Sequence, residues 1–237
     1  MSQNPGSSSE SPTANASKPP HSVAPPSGRY WKRGLVLLIL VIVGVVVWEE
    51  VLEDRLIAKR FGTIIPGEVY RSGQISPYLI EDVLRDNEID VVIDFTGIGN
   101  GPDEEQQAET AAIASLGITG HRFPLAGDGT GNPESYVSAL VTLREAMASD
   151  QQVLMHCSAG SQRTGGATGF YRLFYEGWTP EQVIDELKQY DWSPRKDTIL
   201  LRYMNEHMAF IAQRLVEEGA LAAVPDPLPV MPVGPHE

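Results

Sequence analysis

His156-Cys157-Ser158-Ala159-Gly160-Ser161-Gln162-Arg163-Thr164-Gly165 stands where one structural period gives way to another. Val153 to Met155 form a short apolar run that predicts a buried strand ending at His156, and Arg163 opens a long helical pattern. A loop between a strand end and a helix start turns backbone N–H groups inward above the helix N-terminus, which makes a concave anion site. Cys157, the only cysteine in the chain, lies at its base, where such a field favours the reactive thiolate. Arg163 adds a planar fork of donors suited to two oxygens of a phosphate. Nucleophile, oxyanion cradle and guanidinium together predict phosphoryl transfer through a cysteinyl-phosphate. A lone cysteine is more often a small buried hydrophobe, and an arginine at a helix start is more often a surface charge. Neither reading explains both at this spacing among glycines.

The stretch resembles the Cys-x5-Arg-Ser/Thr loop of the protein tyrosine phosphatase superfamily, with His156, Cys157, Gly160, Arg163, Thr164 and Gly165 matching together. Val69-Tyr70-Arg71-Ser72-Gly73-Gln74 looks like the opening of small bacterial and fungal dual-specificity phosphatases. The similarity covers about residues 61 to 192. It implies Cys157 as nucleophile and Arg163 as phosphate ligand. It also implies that Thr164 bonds the sulfur and helps it leave, and that His156 orients the loop and lowers the thiol pKa. Ser158, Ala159, Gly160, Ser161 and Gln162 would line the substrate-binding loop with Arg163. Gln162 departs from the glycine, histidine or aspartate of many relatives, so the positioning of water in the second step stays open.

Breaking a phosphoester also needs a proton for the leaving oxygen. The resemblance places that acid on a mobile loop about thirty residues before the cysteine. Asp128 lies 29 positions before Cys157, between Gly127 and Gly129, and is the only acid between His121 and Glu134. A plain Asp-Gly turn is the competing reading. Glu134 is second choice, because it belongs to the first turn of the next helix, where acids suit the dipole. Apart from Arg163 the catalytic loop carries no basic residue, which argues for phosphoprotein or small phosphoester substrates over inositol or lipid phosphates. A noncatalytic phospho-recognition module is the rival from another class.

The chain has 237 residues and a net charge of −13, room for one medium domain with tails. Residues 1–33 are rich in Ser, Pro, Ala and Asn and are expected to be disordered. Lys18, Arg29, Lys32 and Arg33 against Glu10 give them +3, which leaves −16 for the remainder. That balance argues against nucleic acid as a partner. The histidines and the single cysteine make no metal-ligand pattern, so neither a metal nor another cofactor is expected. Residues 34–48 are fifteen in a row without a charge, roughly 22 Å as a helix. Tyr30, Trp31 and Trp48 flank them at interfacial positions. The expectation is a single-pass transmembrane anchor in a lipid bilayer, with no small-residue cleavage site after it. Flanking basic residues favour an N-terminus inside and a catalytic domain outside the cytoplasm, the reverse being the alternative.

Beyond the anchor a helical connector is expected over 49–61, then a catalytic domain over 62–220 and a disordered, proline-rich tail over 221–237. Strands near 67–71, 90–95, 120–123 and 153–156 alternate with helical patterns at 77–87, 102–116, 133–147, 163–175, 180–190 and 194–218. The alternation predicts an α/β fold, a mostly parallel central sheet with helices on both faces. Its functional loop would lie at the carboxyl ends of the strands. Asp103-Glu104-Glu105 is expected to cap a helix, and Phe170, Tyr171, Phe174 and Tyr175 to pack a core.

Overall fold

The protein, as a computed structural model, is described over residues 28–47 and 57–234, which fall into two units divided after Val45. The larger is built on β1 (Gly62–Ile65), β2 (Val69–Ser72), β3 (Ile89–Asp94), β4 (Thr119–Arg122) and β5 (Gln152–His156), in the order β1-β2-β5-β3-β4. Only β1 with β2 is antiparallel; the other three pairings are parallel. Successive side chains of a strand face opposite sides of its sheet, so the central strands feed two cores in turn. Val91, Ile93, Val153 and Met155 enter one core, and Val92 and Leu154 enter the other.

Seven helices are described: α1 (Gly28–Val47), α2 (Ile80–Asp86), α3 (Glu104–Leu116), α4 (Pro133–Ala148), α5 (Gln162–Tyr175), α6 (Pro180–Gln189) and α7 (Thr198–Glu217). Leu84 of α2 and Ala112 of α3 cover the smaller core. Leu143, Phe170, Leu187 and Met208, from α4 to α7, close the larger one, each large side chain adding roughly 2 kcal/mol by leaving water. The α/β expectation with helices on both faces therefore holds. Helix ends follow local chemistry. Asp103 and Gln106 form a capping box that starts α3, and Gly117, left-handed at φ 72°, ends it. Asn132 caps α4, with Pro133 in its first turn.

Five expectations need correction or restriction. Residues 28–33, expected to be disordered, belong to the helix α1. β1 is additional to the expected strands, because Gly62-Thr63-Ile64-Ile65 is a four-residue edge strand with one buried side chain. Residues 57–61 are bend and turn rather than helix, and the rest of the expected connector, like residues 1–27, lies outside the described residues. The tail from 221 to 234 is not free. Met231 is buried in the larger core, Leu221, Val224 and Leu228 pack against it, and Asn205 of α7 exchanges two hydrogen bonds with the Met231 backbone at 2.7 and 2.8 Å. The transmembrane span is also not found. α1 is helical, with exposed apolar side chains from Leu35 to Val45. Among the described residues, however, no helix is long and apolar enough to cross a membrane, and fifteen uncharged residues fall short of the roughly 20 a span requires.

Candidate active site

β5 delivers His156 to the carboxyl edge of the sheet, and α5 begins at Gln162, so residues 157–161 bridge strand and helix. Three of their carbonyls are held from outside by three residues. The Gln74 N–H donates to Ser158 O at 3.1 Å, Arg60 Nη1 donates to Ala159 O at 2.6 Å, and Arg71 Nη2 donates to Gly160 O at 2.8 Å. A planar trans peptide points its N–H away from its carbonyl, so outward carbonyls leave N–H groups for the inside of the loop. Gly160 shows it: its N–H donates to Cys157 Sγ at 3.1 Å. Gly160 has φ 74°, and an added Cβ would meet Ser72 C and O at 2.7 and 2.8 Å. Only glycine fits there.

Arg71 is fully buried on β2, with its guanidinium carbon 3.6 Å from the centre of the Tyr190 ring. Burial pushes its pKa down to about 10, against the pull of Glu186, Tyr190 and Cys157. Arg163 reaches Ser158 Oγ with Nη2 at 3.0 Å and Phe95 O with Nη1 at 3.4 Å. Its Nε has no partner, so donor capacity remains for an anion. Cys157 is 1% exposed. Burial pushes its thiol up, but the nearby Thr164 hydroxyl and N–H, the charge of Arg163 and the Gly160 N–H together bring it below its ordinary value. The buried Thr164 hydroxyl makes no hydrogen bond in the structure, so its donor is unspent. Gln162 is tied through Nε2 to Asp197 Oδ1 at 2.8 Å.

His156 faces away from Cys157, as neighbouring residues around a strand end do. It lies on the side of Leu154 and the smaller core, between Ser72 on β2 and Asp94 on β3. Its Nε2 is 2.7 Å from Glu109 Oε2 and 3.9 Å from Asp94 Oδ1. Burial acts to lower its pKa, but Glu109, then Asp94 and Cys157, outweigh that and raise it to about 9. Asp94, Glu109 and His156 bring ligand atoms within 4.8 Å of one another. They do not make a metal centre. The Asp94 oxygens are taken by the Thr96 N–H and hydroxyl and by Arg122 Nε at 2.7 Å. His156 and Arg122 already balance the two carboxylates.

Asp128 lies on the loop between β4 and α4, and that loop packs against the start of the helix that follows the cysteine loop. A Cβ placed on neighbouring Gly129 would come 3.4 Å from Gln162 O, and Tyr136 and Tyr203 hydrogen-bond the carbonyls of Gly129 and Gly131. The hydroxyl and N–H of Thr130 donate to Asp128 Oδ1 at 2.7 and 3.0 Å, holding its carboxyl below the usual range. Glu134, the second choice for the acid, instead receives Arg214 Nε of α7 at 2.9 Å.

No family model matches the chain. A curated relative, the dual specificity protein phosphatase TpbA of Pseudomonas aeruginosa (strain UCBPP-PA14), is 35% identical over 52 residues, 21% of this chain and 24% of that protein. The match thus spans about a quarter of the relative's length. Among solved structures, the catalytic core of the PP-IP phosphatase SIW14 from S. cerevisiae, in complex with citrate, superposes with a TM-score of 0.53 at 17% identity, covering 70% of this chain and 96% of that one. The P. aeruginosa TpbA crystal structure gives 0.50 at 19%, covering 65% and 87%. The chain has the cysteine-phosphatase fold.

Within that fold the structure gathers Cys157 and residues 158–161 of the loop with Gln162, Arg163 and Thr164 of the first turn of α5, and brings the Asp128 loop against Gln162. His156 it places beneath the sheet, pointing away. Arg71 belongs to a stretch, 71–74, that the sequence offers as a support of the site from an early strand, or else as a plain strand-end turn, and its bond to Gly160 O fits the first reading; sequence reasoning missed Glu109 and Asp94. For Glu109 a signal existed: it falls three residues before Ala112 and three after Gln106, on the buried stripe of α3, where an unpartnered acid would be costly.

Proposed function

We propose that the protein is a cysteine-dependent phosphomonoester hydrolase acting in two steps. The observation that carries this reading is the lowered thiol of Cys157 beneath a loop whose carbonyls are tied outward and beside an Arg163 with a spare donor. In the first step the Cys157 sulfur forms a bond to phosphorus while the ester P–O bond breaks. Arg163 and the loop N–H groups stabilise the equatorial oxygens, and Asp128 gives its proton to the leaving oxygen. In the second step Asp128, now ionised, takes a proton from water as its oxygen attacks phosphorus. The S–P bond then breaks, with Thr164 donating to the departing thiolate. Ser158 to Gln162 form the substrate cradle.

The solved relatives bracket the substrate class: TpbA has been crystallised in complex with phosphotyrosine, as a cysteine-to-serine variant, and SIW14 is a PP-IP phosphatase. The lack of any basic residue but Arg163 in the loop favours phosphotyrosine-type and dual-specificity substrates over highly charged inositides. A membrane tether through residues 34–48 belongs to the same proposal, supported by the exposed apolar side chains of α1. Release of phenol from an aryl phosphate tests the enzyme reading. Turnover should be inhibited by orthovanadate, untouched by chelators and abolished in Cys157→Ser. Asp128→Asn should slow it by about 100-fold or more. Vanadate-sensitive binding with no turnover at any pH would favour the recognition module instead.

A further inference from the structure

The peptide unit between Ala159 and Gly160 is held at both ends. Its N–H reaches Cys157 Sγ at 3.1 Å, and its carbonyl receives Arg60 Nη1 at 2.6 Å. In a planar trans unit the two groups point in opposite directions, so a donor that fixes the carbonyl outside the loop aims the N–H at the sulfur inside. A charged donor also polarises the unit, which strengthens the bond at its far end. Arg60 keeps its place at a conformational cost. Its φ is 47°, in the left-handed region that residues with a Cβ rarely adopt. Its Nε donates to Asp191 Oδ2 at 2.7 Å, and Asp191, in the turn after α6, is left-handed too, at φ 60°. Asp191 is exposed, and an ion pair at the surface contributes little, so the pair alone does not account for two strained residues. The backbone beside Arg60 is fixed on β2. The Gly73 N–H donates to Lys59 O at 2.7 Å, and the Phe61 ring stacks on Tyr70. Strain retained beside a reactive group points to a role there.

We propose that Arg60 is a positioning residue of the catalytic loop: its guanidinium, braced by Asp191, holds the Ala159–Gly160 peptide unit so that the Gly160 N–H is presented to the Cys157 sulfur. The planar fork is what the task needs. Nε and Nη1 serve a carboxylate and a carbonyl together in one rigid geometry, which the point charge of an ammonium does not do. Arg60 thus acts on the sulfur through one peptide unit. Without its side chain that unit loses the charged donor that sets its rotation, and the bond to sulfur weakens. The inference rests on the cysteine-phosphatase reading for its purpose, but it is measured on the thiol alone.

The test is Arg60→Gly, read by the rate of iodoacetamide alkylation of Cys157 against pH, which follows thiolate without any substrate. Glycine adopts a left-handed φ freely, so the variant removes the guanidinium while it relieves the backbone. A merely structural Arg60 would leave the thiol as it is. The account predicts a titration moved to higher pH, with alkylation on its acid limb slowed by roughly threefold to tenfold, the loss of about one hydrogen bond to the sulfur. The acid limb of kcat/KM for an aryl phosphate should move in parallel. If Arg60→Gly folds and alkylates as the unaltered protein does, the proposal is wrong. Should that variant not fold, Asp191→Gly decides from the exposed end of the brace: alkylation slowed in the same direction supports the proposal, and an unchanged rate overturns it. A thiol that responds to Arg60 in a protein without phosphatase turnover would keep this inference and remove the enzyme reading. Turnover through Cys157 with a thiol indifferent to Arg60 would do the reverse.

Discussion

At the scale of single residues, the tension lies in Asp128. A general acid must carry its proton when the ester breaks, yet two donors from Thr130 favour its ionised form. Both donors go to Oδ1, so in the proposed reaction Oδ2 carries the proton to the leaving oxygen, and the strength of the Thr130 contacts sets how much acid is available. Thr130→Val removes one donor and leaves the N–H of residue 130 in place. The pKa of Asp128 should rise, more of it should be protonated near neutrality, and the basic limb of the kcat/KM profile should move to higher pH. A basic limb that does not move would show that another group supplies the proton. Gly160 is the second decisive residue. Gly160→Ala puts a side chain at φ 74° and into the backbone of Ser72. It should weaken the N–H to sulfur bond, raise the thiol pKa and reduce turnover by about tenfold or more, read from alkylation and aryl phosphate kinetics.

Among elements, the C-terminal segment carries more of the fold than its composition suggests. Met231 reaches the larger core at 1% exposure, pinned by Asn205. Met231→Ala should cost about 2–5 kcal/mol of stability, measured as a lower urea midpoint with an unchanged slope. A change below about 0.5 kcal/mol would mean that the segment is only loosely held. This segment shows why some elements are legible in the sequence and others are not. The apolar runs of β3 and β5, the capping box at Asp103 and the Asn-Pro start of α4 are local signals written within a few residues. β1 and residues 221–234 have no such signal; each is fixed by contacts with distant parts of the chain. The site divides the same way. Cys157 through Thr164 can be read as one motif. The Arg71 grip on Gly160 and the Glu109–His156 pair depend instead on the β2–β5 register and on how α3 lies over the sheet. Adjacency to Cys157 suggests a place for His156 in the loop, but the alternation of side chains puts it on the far face.

For the whole molecule, charge and apolarity are unevenly distributed along the chain, and the proposed tether rests on that distribution. The +3 of residues 1–33 and the −16 beyond them lie on either side of an uncharged run whose apolar side chains α1 exposes. The full chain should float with zwitterionic lipid vesicles and lose that property when residues 34–48 are deleted; equal flotation of both would remove the tether. Everything chemical, however, converges on one atom. Rapid acid quench during turnover of an aryl phosphate, followed by peptide mass spectrometry, asks directly where the phosphoryl group goes. The account predicts one phosphoryl mass on the peptide bearing Cys157, absent in Cys157→Ser. Steady turnover with no phosphoryl on Cys157, or with persistent activity in Cys157→Ser, would contradict it.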